Sequence, residues 1–171
     1  KVFPGRRGLR DRQDEMLEVA LMADGVAPRD LYPLDVNRAF KSLDRIKPYI
    51  TKWVNQTPQT VSLVLTNELD FSFTYPARVN AAREAGGSIE FFTDQPVIAT
   101  TYLAIPKGSK KRDAAMKLLS YFVRPDLQAA FSNAMIGNGP TVLAAVPLLS
   151  GAAQAMQADF RSPQSAFVDV V

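Results

Sequence analysis

The segment Thr101–Phe131 limits this chain to a narrow set of folds: a short apolar run, a proline-glycine stop, then two helical repeats in succession. Tyr102-Leu103-Ala104-Ile105 has the length and composition of a buried strand. Pro106-Lys107-Gly108 ends it, because proline lacks the ladder N–H and glycine tolerates turn geometry. Ser109 is placed to cap a helix in which Ala115, Leu118, Leu119 and Phe122 recur at the spacing of one buried face. Arg124 precedes Pro125 and is disfavoured in helical geometry, so that helix ends there and a second starts with Pro125 in its first turn. Leu127, Ala130, Phe131 and Ala134 repeat the spacing. Strand, tight turn, helix, helix is a unit of an α/β domain.

The run Leu-Ala-Ile-Pro-Lys-Gly followed by Ser-Lys-Lys-Arg-Asp-Ala-Ala-Met-Lys-Leu-Leu-Ser-Tyr-Phe-Val-Arg-Pro-Asp-Leu-Gln-Ala-Ala-Phe, residues 103–131, resembles the solute-binding proteins of bacterial ABC importers. The branch it resembles is the spermidine/putrescine-type group. The likeness rests on the Ile-Pro-Lys-Gly strand end, the paired alanines, the aromatic helix end and the Arg-Pro step together, and it extends over about Val2 to Pro147. It implies a type II periplasmic-binding-protein lobe: α/β, with a mainly parallel sheet and helices on both faces. It also implies that a small solute is captured between two lobes and delivered to a membrane permease, with no reaction catalysed and no cofactor.

Composition agrees with a binding module. The 171 residues are 47% hydrophobic, enough for a real core, and no apolar run approaches a membrane span. The net charge of +3 is mild; it permits anionic partners and does not point to nucleic acid. There is no cysteine and no histidine. Disulfides, Ser-His-Asp and Cys-His nucleophilic sites and ordinary zinc sites are therefore excluded, so no catalytic residue and no metal ligand is assigned. Carboxylate chemistry survives, and a lyase or hydrolase domain built on paired acids is the alternative from another class. Against it, Asp11, Asp14 and Glu15 share one helix start, where the helix dipole accounts for them. The chain opens at Lys1 without a signal-peptide pattern and is shorter than the family. It is expected to be an internal or C-terminal piece of an exported, periplasmic or extracellular protein.

Along the chain, residues 1–12 read as a basic, turn-rich entry. A helix is expected from Asp11 to Ala23 with Leu17, Ala20 and Leu21 inward, stopped by Asp24-Gly25. Asp35 caps the next, with Val36, Ala39, Phe40, Leu43 and Ile46 at helical spacing. Residues 49–54 alternate as a strand, and Thr57-Pro58 starts a helix buried through Val61, Val64 and Leu65. Leu69, Phe71 and Phe73 predict a strand, residues 77–85 a helix ended by Gly86-Gly87, and Ser88–Thr93 a further strand. Residues 142–149 and 152–160 look helical, and Arg161-Ser-Pro163 ends the pattern.

In open α/β sheets ligands lie at the carboxyl ends of strands. Thr74-Tyr75-Pro76-Ala77-Arg78 stands at one such end, where helix N-terminal amides favour anions. The resemblance places a cleft-lining aromatic at Tyr75 and a basic residue at Arg78. The connector Ile98-Ala99-Thr100-Thr101 is the other end. Polyamine binders of the family have an aromatic and an aspartate there, whereas the matching positions here are Ala99 and Thr101. Thr100, Thr101 and Arg78 suit a neutral or anionic ligand better than a polyamine. Arg6 is a candidate for bidentate carboxylate binding from the entry turn, and Asn138 for a contact from the Ile136–Thr141 loop.

The expected organisation is residues 1–98 as the second lobe, 99–135 as a strand and helices belonging to the first lobe, and 136–171 as a C-terminal helical segment. Without first-lobe strands, Tyr102, Leu103, Ile105, Leu118, Leu119 and Phe122 are expected either to pair two copies of the chain as a dimer or to stay exposed.

Overall fold

The computed structural model describes residues 3–159 and 161–169. The chain divides into two compact units, Lys1–Ala99 with Asp159–Val171, and Thr100–Ala158.

The first unit is built on a parallel three-stranded sheet in the order β2-β1-β3, where β1 is Arg7–Arg10, β2 is Lys52–Val54 and β3 is Phe71–Ser72. Gly8 faces Lys52 on one side and Ser72 on the other. The Arg7 carbonyl accepts from the Thr51 N–H (2.8 Å), and Asp11 N–H donates to the Val54 carbonyl (2.9 Å), which extends the ladder at both ends. This central strand falls in what the sequence predicts as a turn-rich entry. Its four residues include two arginines and a glycine, so no apolar alternation announces it, and two neighbours recruit it instead. At Gly8 a Cβ would lie 2.6 Å from Leu69 Cδ1, so the absent side chain lets Leu69 fill the space beside the sheet.

Helix α1 is Met16–Ala23, five residues later than expected, because Glu15 sits at φ 68 and blocks helix there. Met16, Glu18, Ala20 and Leu21 are buried, and Leu17 is half-buried. Gly25, at φ 86, closes the helix as predicted: its N–H bonds to the Met22 carbonyl and that of Val26 to Leu21, both at 3.0 Å. Helix α2, Val36–Ile46, is capped by Asp35, whose carboxylate accepts from the Arg38 N–H (2.9 Å). Asp24 receives Arg38 Nε (2.5 Å) and Arg45, and these bonds, Arg38 first, hold its carboxyl below the usual carboxylate range. Ala20, Leu21, Leu31, Ala39 and Ala166 form the core between α1 and α2. Each large side chain fully buried there contributes about 1.5–3 kcal/mol.

Helix α3, Gln59–Leu65, follows β2 and packs Leu63 with Val54 and Leu69. Helix α4, Pro76–Glu84, follows β3 and starts one residue earlier than expected, with Pro76 in its first turn. Residues 88–93 form no strand. The Ile89 carbonyl there accepts from Arg83 Nε (2.8 Å) instead of a ladder partner. The strand comes later as β4, Val97–Ile98, paired in parallel with β5, Ala166–Phe167. Residues 161–169, expected within a helical segment, thus rejoin the first unit through β5.

The second unit contains α5 (Arg112–Phe122), α6 (Pro125–Ala134), a 3-10 segment (Leu143–Leu148) and α7 (Gly151–Ala155). Tyr102–Ile105 is not a strand, since no strand among the described residues of this unit offers it a partner. Helix α5 buries no residue. In α6 the buried positions are Gln128, Ala129 and Ser132, one step round from the predicted face of Leu127, Ala130, Phe131 and Ala134. The core is small: Ala129, Ala145, Leu149 and Ala153. Gln128 fastens it, donating to the Phe122 carbonyl (3.1 Å) and accepting from the Thr141 N–H (2.8 Å).

Candidate functional site

Parallel pairing puts the carboxyl ends of β1, β2 and β3 on one edge of the sheet. The loops that leave this edge are cross-linked by buried polar groups. Thr60, in the first turn of α3, donates to the Thr57 carbonyl (2.7 Å) and accepts from Thr74, 2.7 Å away in the segment after β3. Tyr75, the residue before α4, donates its hydroxyl to Glu15 in the loop after β1, at 2.8 Å to Oε2 and 3.1 Å to Oε1. Glu15 is only 6% exposed and holds a left-handed backbone, two costs that a residue serving only as a helix cap would not bear. Tyr75 is half-buried, and its ring meets Phe73 edge to face with centroids 6.4 Å apart. Burial first, and the bond to Glu15 second, push the phenol upward, so it stays protonated and donates at neutral pH.

Arg10 ends β1 at this same edge. It is 4% exposed, and its guanidinium carbon lies 5.8 Å from the Tyr75 ring centroid. Nε and Nη1 are buried with no hydrogen-bond partner. Ser72 Oγ, at the end of β3, is likewise buried and unpartnered. The edge therefore combines a buried carboxylate, a phenol, a buried guanidinium and three hydroxyls from Thr60, Ser72 and Thr74.

Of the residues singled out from the sequence, Tyr75 and Arg78 stand together at this edge, in the cap and first turn of α4. Arg78 is exposed. A cation in the first turn opposes the helix dipole, so its position there is not explained by helix stability. Thr100, Thr101 and Asn138 fall in the second unit and are exposed; Asn138 Nδ2 donates to the Met135 carbonyl (3.2 Å), a turn contact. Arg6 is placed differently from expectation. It precedes β1, at the amino end of the sheet, and its guanidinium is occupied: Nη2 meets Asp70 Oδ1 at 2.8 Å and Nη1 donates to the Asn67 carbonyl at 2.5 Å. It latches the turn before β3 instead of facing a ligand.

Sequence reasoning missed Arg10 and Glu15. Once residues 7–10 are recognised as a strand, Arg10 marks its carboxyl end and Glu15 the loop that follows, the two places where an α/β site is sought.

A family model described as bacterial extracellular solute-binding protein matches residues 1–160. A gamma-aminobutyric acid-binding protein of Pseudomonas aeruginosa is 34% identical over 152 residues, 86% of this chain and 43% of that protein. A spermidine/putrescine-binding periplasmic protein of Salmonella typhimurium is 25% identical over 144 residues, 83% of this chain and 40% of that protein. Among solved structures, an ABC transporter substrate-binding protein from Bradyrhizobium japonicum superposes with a TM-score of 0.90 at 36% identity, covering 98% of this chain and 53% of that one. The chain thus spans about half the length of the relatives it matches.

Proposed function

The chain belongs to the family of bacterial extracellular solute-binding proteins, and from that premise we propose that it supplies one ligand-binding lobe of the substrate-binding component of an ABC importer. The fold is α/β with parallel sheets, that of type II periplasmic binding proteins. The first unit is the lobe that presents the site. The second unit holds elements that belong with the other lobe, and its exposed apolar side chains are covered by that lobe in the longer protein. A small solute is captured by closure of the two lobes and passed to the permease in the membrane, with no bond made or broken. The protein acts outside the cytoplasm, in the periplasm or at the cell surface.

The observation that carries this reading is the polar edge built from Arg10, Glu15, Tyr75 and Arg78 at the carboxyl ends of parallel strands. Relatives by name bind gamma-aminobutyric acid or polyamines. The arginines of this edge, with Thr101 in place of an acid, favour a neutral or anionic solute over a polyamine. Native mass spectrometry of the full-length protein, purified without refolding, tests the reading. A stoichiometric small molecule lost on gentle activation is expected, and Tyr75→Ala with Arg78→Ala should abolish it. Retention of that molecule by the double variant would place the site elsewhere.

A further inference from the structure

We propose that Arg10 is the anion anchor of this edge and that the solute it recognises carries a carboxylate. The inference rests on the ligand-binding reading above and narrows it to a chemical class.

An arginine keeps its charge at every physiological pH, so burial cannot be relieved by losing a proton. Other arginines of the chain meet carboxylates at the surface: Arg6 with Asp70, Arg38 and Arg45 with Asp24, Arg83 with Glu90, Arg124 with Asp126. Such exposed pairs contribute little to stability. Arg10, the arginine that is buried, has no carboxylate partner among the described residues, and two of its nitrogens have no acceptor. Leaving a buried cation without a counter-charge is among the most destabilising arrangements a protein tolerates, and the Tyr75 ring offsets only part of it. Glu15, whose two oxygens accept from the Tyr75 hydroxyl, makes no direct contact with the guanidinium, so Arg10 Nε and Nη1 stay without an acceptor. Uncompensated cost at the carboxyl end of a central strand is the arrangement expected of a residue whose partner arrives with the ligand.

The donor pattern selects the class. In a guanidinium Nη2 forms a planar fork with either Nε or Nη1, and each fork matches the two oxygens of a carboxylate. Nε and Nη1 are covered, so a carboxylate engages them as the Tyr75–Glu15 hydrogen bond opens and the half-buried ring turns aside; the ring is then free to lie along the apolar part of the solute. Arg78, exposed one turn into α4, adds a second positive charge to the same edge.

The test compares acids with their amides on the full-length protein by calorimetry: 4-aminobutyrate against 4-aminobutanamide, propionate against propionamide, succinate against succinamide. At least one acid should bind about 10- to 100-fold more tightly than its amide, the range of a charge-assisted bidentate contact. In Arg10→Gln that preference should fall to within about threefold, while Arg10→Lys keeps part of it. A purely structural Arg10 would lower thermal stability in both variants and leave the acid-to-amide ratio unchanged, which overturns the proposal. Should Arg10→Gln fail to fold, the wild-type ratios and Arg10→Lys decide alone. Equal binding of every acid and amide, or binding of none, also overturns it. A co-purified solute without a carboxylate, seen by native mass spectrometry, would refute the carboxylate class while leaving the binding lobe intact.

Discussion

The Tyr75 hydroxyl donates to both carboxylate oxygens of Glu15, a residue sixty positions earlier in the chain. This bond ties the loop after the central strand to the start of α4 and fixes the ring that lies over Arg10. It also gives a buried carboxylate its hydrogen-bond donor. Tyr75→Phe removes that donor and leaves the Glu15 carboxylate buried without it, which should cost about 1–3 kcal/mol. Urea denaturation of the full-length protein measures it. The double variant Tyr75→Phe/Glu15→Gln should recover part of the loss, because the group left behind is no longer charged. A Tyr75→Phe protein as stable as the parent would mean that the bond contributes nothing.

Tyr32 joins the C-terminal strand segment to α1: its hydroxyl donates to Glu18 (2.5 Å) and accepts from the Asp169 N–H (2.9 Å). Burial first, and the Glu18 bond second, push its phenol from 10.0 up to about 12. Below pH 10 the group is protonated whether folded or unfolded, and its contribution to stability is fully present. Between pH 10 and about 12 the unfolded chain ionises first, so this contribution is lost as pH rises through the folded value. An ultraviolet absorbance titration should therefore show a tyrosine ionising well after the exposed ones. Tyr32→Phe should delete that late component and flatten the alkaline loss of stability. A titration unchanged in Tyr32→Phe would assign the late component to another residue.

Local chain chemistry made much of the fold legible. Gly25 closing α1, Asp35 capping α2, and Pro125 opening α6 act within a turn of themselves, so sequence alone reveals them. What it concealed depends on distant partners. Arg7–Arg10 becomes a strand only because β2 and β3 flank it, and Tyr102–Ile105 forms no strand because no strand among the described residues of its unit pairs with it. The candidate site followed the same division. Tyr75 and Arg78 were visible as residues after an apolar alternation. Glu15 was assigned to a helix start because periodicity extended α1 back to Asp11, and Arg10 was hidden inside a basic stretch. In α5 and α6 the periodicity correctly marked apolar faces, but those faces are not the ones buried within the second unit.

Those faces lead to a prediction about association. Tyr102 and Leu118 are each 66% exposed, and Leu103, Met116, Tyr121 and Phe131 are exposed beside or after them in sequence. Ile105, Leu119 and Phe122 are half-buried. If the other lobe covers these side chains in the longer protein, the 171-residue chain by itself should associate or bind a hydrophobic dye, and the full-length protein should do neither. Light scattering coupled to size exclusion gives the mass. Leu103→Glu with Leu118→Glu should return the isolated chain to a monomer and destabilise the full-length protein. A monomeric isolated chain with no dye binding would show that these residues need no cover.

Polyamine recognition sets the opposite demand on charge from the one found at this edge. Taking an ammonium group out of water requires a carboxylate opposite it, and an aromatic face adds a further attraction. At the connector after β4 the chain offers Ala99 and Thr101, which supply neither. At the sheet edge, the Glu15 carboxylate is already engaged by Tyr75, and Arg10 beside it repels a cation. Full-length protein should therefore give no calorimetric response to putrescine or spermidine at micromolar affinity, about −8 kcal/mol. Ala99→Trp with Thr101→Asp restores the aromatic and the acid. That double variant should gain polyamine binding that the parent lacks, more so when Arg10→Gln is added. Micromolar binding of either polyamine by the parent would defeat the charge argument, and with it the expectation of a neutral or anionic solute.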